Sequence, residues 1–367
     1  MTDYSGRQKR AQAALRSAGL EALLLTPGAD MTYLTGFEHG HAGERLLAFV
    51  LPAAGQASWI SPLMNAPQVA ERAVGAEIRA WSDAEGYLPS LRAALDGVGG
   101  VAFDEEARAG FLLDLLGLEN YRVERSSAIL RAVRIRKDAT EIAQMLAAGR
   151  TVDETIPEAV ALCRAGRMEL ELEEALRAAL GTRSPESEVA FTIVASGPNS
   201  ALPHHETGPR RLERGDVVVL DYGTRREGYH SDITVTAAVG EPTDPEVRRV
   251  YRTVWEAQQR ALEAIRPGVP CEAIDRAARE QIASAGYGDY FLHRTGHGLG
   301  LQIHEPPYMV AGNKELLEEG MVFSVEPGIY LAGRFGVRLE VIASVTAYGV
   351  RLINAPSAPE LPLAPEE

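Results

Sequence analysis

The chain has 367 residues, of which 46% are hydrophobic and 24% charged, and its formal net charge is −14 at pH 7. This length exceeds what one hydrophobic core usually supports, so the sequence predicts two domains. The acidic balance and the lack of a Lys/Arg cluster argue against nucleic-acid binding. The sequence shows neither an 18-residue apolar run nor a basic N-terminal segment followed by an apolar one, so we expect a cytoplasmic protein without membrane contact.

Residues 1 to about 125 alternate helix-like and strand-like segments. An amphipathic helix is predicted over RQKRAQAALRSAG, ending at Gly19, and a second helix over NAPQVAERAV. EALLLT and ASWIS are typical of short strands. The alternation indicates an α/β layer structure. The region holds no phosphate-binding glycine loop and no nucleophile motif, so it predicts no chemistry.

The second region follows the basic stretch RAVRIRK, which we expect at the domain junction. Asp138 is a predicted N-cap, with Glu141 as its capping-box partner, for one long helix or two in tandem. Further along the chain the predicted order is strand EVAFTIVAS, a hairpin, two helices and a second hairpin. Cys163 and Cys271 are isolated and are predicted to be buried free thiols. The Pro-rich tail APSAPELPLAPEE is expected to be mobile at its end.

Each of the two hairpins carries a pair of carboxylates. In VVVLDYGTRREGYHSDITVTAAVG, Asp221 and Asp232 are symmetric about the Arg–Glu step of TRREG. In MVFSVEPGIYLAGRFGVRLEVIASV, Glu326 and Glu340 are symmetric about Gly333. Residues symmetric about a hairpin turn lie opposite each other on one face, with Cβ atoms about 5 Å apart. Four half-buried acids would repel one another, so the sequence predicts a cation between them.

His297, in GHGLG between the hairpins, would add one imidazole to the four carboxylates. Such a set favours harder divalent ions, Mn²⁺ before Zn²⁺, with Co²⁺ or Fe²⁺ as alternatives, and could neutralise two of them. The competing interpretations are exposed acidic ribbons and, for RTGHGLG, a phosphate loop, which lacks the usual Gly-Lys-Ser/Thr ending. His293 is unsuited to form a helical zinc pair with His297 because a glycine intervenes. His204, His205 and His304 lie in flanking loops and are candidates for contact with the centre, or are solvated side chains.

The chain resembles the metal-dependent Xaa-Pro peptidases of the pita-bread fold, the prolidase and aminopeptidase P group. The resemblance covers about residues 130–350 and rests on SALPHHETG, VVVLDYG, YHSDITVT, HRTGHGLGLQIHEPP, GMVFSVEPGIY and GVRLEVIASV. It implies an α/β (α+β) fold class. A creatinase- or prolidase-like N-terminal α/β domain would span residues 1–127. A pita-bread catalytic domain, with a curved antiparallel sheet and flanking helices, would span residues 128–367.

The resemblance also implies roles for individual side chains. His204 and His304 match catalytic histidines, His304 donating to the developing oxyanion and His204 positioning the scissile group. His293 matches a residue of the proline-side pocket. Arg338 matches one that orients ligand carboxylates, and Tyr330 matches one near the metals. The five implied metal ligands are Asp221, Asp232, His297, Glu326 and Glu340.

The implied reaction is hydrolysis of the bond between an N-terminal residue and proline in small peptides. Two divalent ions would activate a shared water, with Glu326 as base and then as acid. The compact chain favours an Xaa-Pro dipeptidase over an aminopeptidase P acting on longer peptides. An inactive binding module of the same fold is a remote alternative because the ligand set is complete. Methionine aminopeptidase lacks the N-terminal domain, and creatinase uses no metal. The resemblance further implies a homodimer in which one N-terminal domain borders the partner's site.

Overall fold

The computed structural model describes residues 2–38, 43–72 and 76–365. The chain divides into two compact units, Met1–Arg134 and Ile135–Glu367. Within the described ranges, every helix is too short or too polar to cross a lipid bilayer.

The N-terminal unit is built on one mixed sheet. Its helices are α1 (Tyr4–Ala18), α2 (Ala29–Thr35), α3 (Ala66–Ala70), α4 (Leu88–Ala94), α5 (Ala109–Leu118) and α6 (Ser127–Arg134). Its strands are β1 (Ala22–Leu25), β2 (Ala48–Pro52), β3 (Ser58–Pro62), β4 (Glu77–Trp81), β5 (Gly100–Phe103) and β6 (Arg122–Arg125). The sheet order is β4-β3-β2-β1-β5-β6, in which β2 runs antiparallel to both neighbours and the other pairs are parallel.

Local signals account for several of these elements. Helix α1 ends where predicted, at Gly19, whose φ of 64° is the left-handed conformation that a glycine adopts without strain. Strands β1 and β3 coincide with the predicted strands EALLLT and ASWIS. Helix α3 ends at Ala70 and is therefore shorter than predicted. The last two residues of the predicted helix, Ala73 and Val74, lie outside the described ranges.

The second unit contains four long helices and most of the strands. Its helices are α7 (Ala139–Leu162), α8 (Glu169–Arg183), α9 (Glu246–Ala264) and α10 (Cys271–Ser284), with 3₁₀ turns at Gly197–Ala201 and Gly288–Tyr290. Its strands are β7 (Glu188–Ser196), β8 (Val217–Arg226), β9 (Tyr229–His230), β10 (Ile233–Val239), β11 (Gly296–Gly298), β12 (Glu305–Met309), β13 (Val322–Val325), β14 (Gly328–Leu331), β15 (Phe335–Arg338), β16 (Val341–Thr346), β17 (Gly349–Leu352) and β18 (Leu363–Ala364).

Helix α7 confirms the predicted start at Asp138. The Asp138 carboxylate accepts hydrogen bonds from the backbone N–H groups of Thr140 and Glu141, and the Glu141 carboxylate accepts from Asp138 N at 2.8 Å. This reciprocal capping satisfies N–H groups that have no partner inside the helix. The tandem alternative is excluded, because one continuous helix of 24 residues follows.

The sheets of this unit are antiparallel apart from one pair. Their orders are β18-β10-β8-β7 with β9 on β8, then β12-β11-β13-β16-β17, and finally the ribbon β14-β15. The exception is β18, which pairs in parallel with β10. The tail is therefore packed further than predicted, with Leu361 and Ala364 buried. Only Glu366 and Glu367 of it lie outside the described ranges.

The strands that carry the predicted ligands are covered by helices. Apolar side chains of α7 and α8 form one buried cluster with β7 and β8. Apolar side chains of α9 and α10 form another with β13, β15 and β16. Cys163 and Cys271 are buried free thiols within these clusters, as predicted.

Candidate metal centre

The second hairpin has the predicted register. Val325 pairs with Val341 on one side of a break in the ladder, and Gly328 pairs with Arg338 on the other. Both pairs are symmetric about Gly333, so Glu326 and Glu340 lie at the same level of the hairpin, inside the break. The prediction that these two acids face each other is confirmed.

The turn of the first hairpin lies one residue further along the chain than predicted. Arg226 pairs with Tyr229, which leaves Glu227 and Gly228 as a two-residue loop. Their φ values of 48° and 79° are both left-handed, as a type I′ turn requires. Such a turn matches the twist of the flanking strands. It places the axis of the hairpin at the Glu227–Gly228 step instead of the predicted Arg226–Glu227 step.

This shift changes the partner of Asp221. Asp221 pairs with Thr234, so the prediction that it lies directly opposite Asp232 is wrong. Asp232 is displaced by two residues, which keeps it on the same face as a diagonal neighbour of Asp221. Both aspartates line the same cavity.

His297 lies on the short strand β11, between β12 and β13. A Cβ on Gly296 would collide with the Ser324 carbonyl, and one on Gly298 would collide with the Pro306 carbonyl. The flanking glycines therefore bring β11 close to its two neighbouring strands. His297 Nδ1 donates to the Gly298 carbonyl at 3.1 Å, which leaves the lone pair on Nε2.

Ligand atoms of Asp232, His297 and Glu340 lie within 4.8 Å of one another, and all three residues are buried. His297 Nε2 is 3.3 Å from Glu326 Oε1 and 3.8 Å from Asp232 Oδ2. Burial lowers the pKa of His297 to about 3, so these contacts join a neutral imidazole to acids and are not ion pairs. The structure thus gathers three predicted ligands around one point and places Glu326 beside them.

Asp221 is held separately by Arg338. The Arg338 Nη2 donates to Asp221 Oδ2 at 2.6 Å, and its Nε donates to Thr234 Oγ1 at 3.0 Å. Thr234 Oγ1 lies 2.8 Å from Glu340 Oε2 and 3.2 Å from Asp221 Oδ1. Thr234 therefore links the acids of the two hairpins, and Arg338 has the carboxylate-orienting contact that the resemblance implied.

Two buried oxygen atoms test whether a metal fits these residues. In the part of the chain that the structure describes, neither Asp232 Oδ1 nor Glu340 Oε1 has a hydrogen-bond partner. Burial, followed by the charges of neighbouring acids, raises the pKa of both carboxyls well above the usual range. Burying a carboxylate without a partner is costly, and a divalent cation would remove that cost. The carboxylate-rich donor set therefore fits a hard divalent metal.

Glu326 differs from the other acids. Ser324 Oγ donates to Glu326 Oε1 at 3.0 Å, and burial raises the pKa of Glu326 to about 7. In the metal-free protein its carboxyl can therefore gain or lose a proton near neutral pH.

Several of the remaining predicted residues line a cavity of about 570 Å³. His204 and His304 line it, and the His304 ring centroid is 4.1 Å from that of His297. His293 also lines it; its Nδ1 donates to the Arg294 carbonyl, so its Nε2 accepts from the Tyr330 hydroxyl at 2.7 Å. The Tyr330 oxygen in turn accepts from Arg338 Nη1 at 3.2 Å. Tyr330 thus joins the metal-side arginine to the pocket histidine.

The His205 side chain contacts Glu169 and is not among the residues that line the cavity. Its Nε2 is 2.9 Å from Glu169 Oε2, and the same buried carboxylate accepts from Ser196 and Asn199. Glu169 thereby ties together the loop that carries His204, which gives His205 a structural role.

Arg294 is a cavity residue that sequence reasoning did not select. Its guanidinium carbon lies 4.3 Å from the centre of the Tyr308 ring, and no other described residue forms a hydrogen bond or ion pair with the guanidinium. After burial, the Arg294 charge is the largest cause that lowers the pKa of His304. Its position beside His293 in HRTGH was the available signal. The apolar side of the cavity is formed by Ala190, Phe191, Ile193 and Ile303.

Two family models match this chain. Residues 143–347 match metallopeptidase family M24, and residues 7–136 match the creatinase/prolidase N-terminal domain. The chain belongs to metallopeptidase family M24. The predicted family group and the predicted fold, an α/β N-terminal domain before a pita-bread domain with antiparallel sheets and flanking helices, are confirmed.

Several named relatives of this M24 chain are dipeptidases. The chain is 41% identical over 356 residues to the probable dipeptidase PepE of Mycobacterium tuberculosis, covering 96% of this chain and 94% of the relative. It is 40% identical over 226 residues to the Xaa-Pro dipeptidase of Pyrococcus furiosus, covering 62% and 65%. The crystal structure of a recombinant prolidase from Thermococcus sibiricus superposes with a TM-score of 0.94 at 36% identity, covering 99% and 100%.

Proposed function

We propose that this M24 protein is a dinuclear metallo-exopeptidase that hydrolyses Xaa-Pro dipeptides. The observation that carries the proposal is the convergence of Asp232, His297 and Glu340 on one point. Within the described ranges, one carboxylate oxygen of each acid has no hydrogen-bond partner. One ion at that point would leave Asp221 and Glu326 for a second, and the oxygen-rich set favours Mn²⁺. The five residues that would hold the two ions are Asp221, Asp232, His297, Glu326 and Glu340.

Side chains around the cavity supply the remaining chemistry. The ions, when bound, supply a water nucleophile at neutral pH. Glu326, which lines the cavity beside the metal-ligand cluster, takes the proton and returns it to the proline nitrogen that leaves. His304, whose pKa burial lowers, donates from its neutral ring to the developing oxyanion. His204 positions the scissile group, and His293, held by Tyr330, lines the proline side.

Recognition of a dipeptide requires a group that binds the free carboxylate after proline. Arg294 is suited to this role because its guanidinium lines the cavity, stacks on Tyr308 and has no carboxylate partner among the described residues. A stacked, preoriented guanidinium can bind a carboxylate through two parallel hydrogen bonds. An aminopeptidase P must leave room for the peptide residues that follow proline. A guanidinium that binds the carboxylate after proline would occupy that room, so Arg294 favours the dipeptidase. The dipeptidase names of the relatives agree with this choice.

Two further properties follow the resemblance. We infer a cytoplasmic homodimer in which the N-terminal domain of one subunit, residues 1–127, borders the catalytic domain, residues 128–367, of its partner. Size-exclusion chromatography with light scattering would measure the subunit number, and a monomer at assay concentration would contradict this part of the proposal.

The function is tested with a panel of peptides. The protein, stripped of metal and reloaded with Mn²⁺, Co²⁺, Fe²⁺ or Zn²⁺, is expected to cleave Xaa-Pro dipeptides and to spare matched Xaa-Ala dipeptides. Xaa-Pro-Yaa tripeptides should be poorer substrates. Efficient tripeptide cleavage would favour aminopeptidase P, and the absence of any metal-dependent hydrolysis would favour an inactive binding module.

Replacing Arg294 with Gln is expected to lower kcat/KM for an Xaa-Pro dipeptide by about 10- to 100-fold, mainly through KM, because one charge-assisted contact is lost. Hydrolysis of the matched peptide with an amidated C-terminus, which has no carboxylate, should change little. Arg351→Gln, on an exposed residue, is the control. Equal losses for the free and amidated peptides would show that Arg294 does not read the carboxylate.

A further inference from the structure

Gln258 is a polar side chain in the apolar interface of helix α9. It is fully buried, and the neighbouring buried residues of the same helix include Val254, Ala257 and Ala261. Burying an amide among apolar groups is costly unless it is hydrogen-bonded. Gln258 Nε2 donates to the Val325 carbonyl at 3.1 Å and to the Leu339 carbonyl at 2.9 Å.

The orientation of this amide is fixed by its partners. Both acceptors are carbonyl oxygens, so a flipped amide would place Oε1 against two other oxygens. With Nε2 in this position, Gln258 Oε1 is buried and has no partner among the described residues. Gln258 therefore makes both N–H donations, while its Oε1 has no hydrogen-bond partner among the described residues.

The two carbonyls belong to the peptide units that precede the two ligand glutamates. The Val325 oxygen and the Glu326 N–H are part of one planar peptide unit, and the Leu339 oxygen and the Glu340 N–H of another. Glu326 N donates to the Thr295 carbonyl at 2.8 Å, and Glu340 N donates to the Thr234 carbonyl at 3.1 Å. Each peptide plane is therefore held at both ends, its oxygen by Gln258 and its nitrogen by a neighbouring segment.

The two Gln258 contacts lie at a gap in the β-ladder of the second hairpin, where regular strand pairing does not hold the peptide units in place. The regular pairing stops at Val325 and Val341 and resumes at Gly328 and Arg338. Between these pairs the N–H groups of Glu326 and Glu340 donate to other segments, and Leu339 N donates across the break to the Pro327 carbonyl at 3.4 Å. Gln258 is thus a single amide that bridges the two sides of the break.

We propose that Gln258 is a positioning residue for the metal centre, which sets the separation and direction of Glu326 and Glu340 by clamping the peptide units before them. This inference rests on the proposed metal centre. Outer groups that orient metal ligands typically account for 10- to 100-fold in metal affinity or activity. Gln258 acts through backbone, so it would not be found by searching for side chains near the ligands.

The test is Mn²⁺ binding to folded protein, measured by calorimetric titration, with the electron paramagnetic resonance spectrum of bound Mn²⁺ as a second readout. Gln258→Asn keeps the amide but is one methylene too short to reach both carbonyls, and Gln258→Met keeps the length without a donor. Each is expected to weaken Mn²⁺ binding by about 10- to 100-fold and to alter the spectrum. Gln259→Met is the matched control, since Gln259 is the adjacent, half-buried residue of the same helix.

The outcomes separate this inference from the proposed function. A purely structural role would lower the Tm of the variants while the folded fraction binds Mn²⁺ as the wild type does, and that result would overturn the inference. Failure of both variants to fold would assign Gln258 to the core and would overturn it as well. If the wild-type protein itself binds no Mn²⁺, the proposed metal centre fails instead.

Discussion

Replacing Asp232 with Asn is expected to reduce Xaa-Pro hydrolysis by on the order of 10³-fold or more, and to raise the Tm of the metal-free protein. Asp232 Oδ1 is buried and has no partner among the described residues. Burial, together with the nearby acids Glu340, Asp221 and Glu326, disfavours the charged form of Asp232. An amide of the same shape removes that unfavourable charge, but it is a weaker metal ligand. Activity and stability should therefore change in opposite directions.

The control for this variant is Asp289→Asn, which changes an exposed aspartate. Activity would be measured as kcat/KM at saturating Mn²⁺, and stability by calorimetry after metal removal. If Asp232→Asn were active, or if its metal-free form melted below the wild type, the buried acid would not be a destabilised metal ligand.

Adding Mn²⁺ to the metal-free protein is expected to raise the Tm of the catalytic unit by about 10 °C near pH 8 and much less near pH 5. Metal at about 1,000 times its Kd stabilises the folded state by about 4 kcal/mol, and each kcal/mol shifts Tm by about 2–4 °C for a unit of this size. The carboxyls must lose their protons to bind metal, so protons compete with it at low pH.

The pKa shifts fix the sign of this pH dependence. Burial raises the pKa of Glu326 to about 7 from an ordinary 4.5, and the pKa values of Asp232 and Glu340 also lie above their unfolded values. These acids therefore favour the folded metal-free protein most below about pH 4, and the effect is lost as the pH rises through the folded pKa values. In the double variant Asp232→Asn/Glu340→Gln the Mn²⁺ shift should be small at both pH values. A wild-type shift that is independent of pH would contradict the buried-acid account.

The second hairpin could be predicted in register from the sequence alone. Glu326 and Glu340 are equidistant from Gly333, and a glycine with a φ of 73° at that point allows the tight turn that the symmetry demands. Helix α7 was predictable for a similar reason, because its capping residues Asp138 and Glu141 act locally.

Features that depend on distant contacts or on an uncommon backbone conformation could not be predicted. The turn of the first hairpin uses Glu227 in a left-handed conformation, which sequence patterns assign to glycine or asparagine. Gln258 contacts residues 67 and 81 positions away in the chain, and no periodicity reports such a contact. The position of the Arg294 guanidinium depends on its stacking on Tyr308, which lies 14 residues further along the chain.

The left-handed conformation of Glu227 also identifies a position at which a substitution should stabilise the protein. A non-glycine residue in that conformation costs about 1–2 kcal/mol, and Asn-Gly is among the pairs that a type I′ turn prefers. Glu227 is exposed, and the change Glu227→Asn leaves Gly228 and the flanking strands as they are. The hairpin that carries Asp221 and Asp232 could thus be made more rigid from its tip, without altering any residue of the cavity.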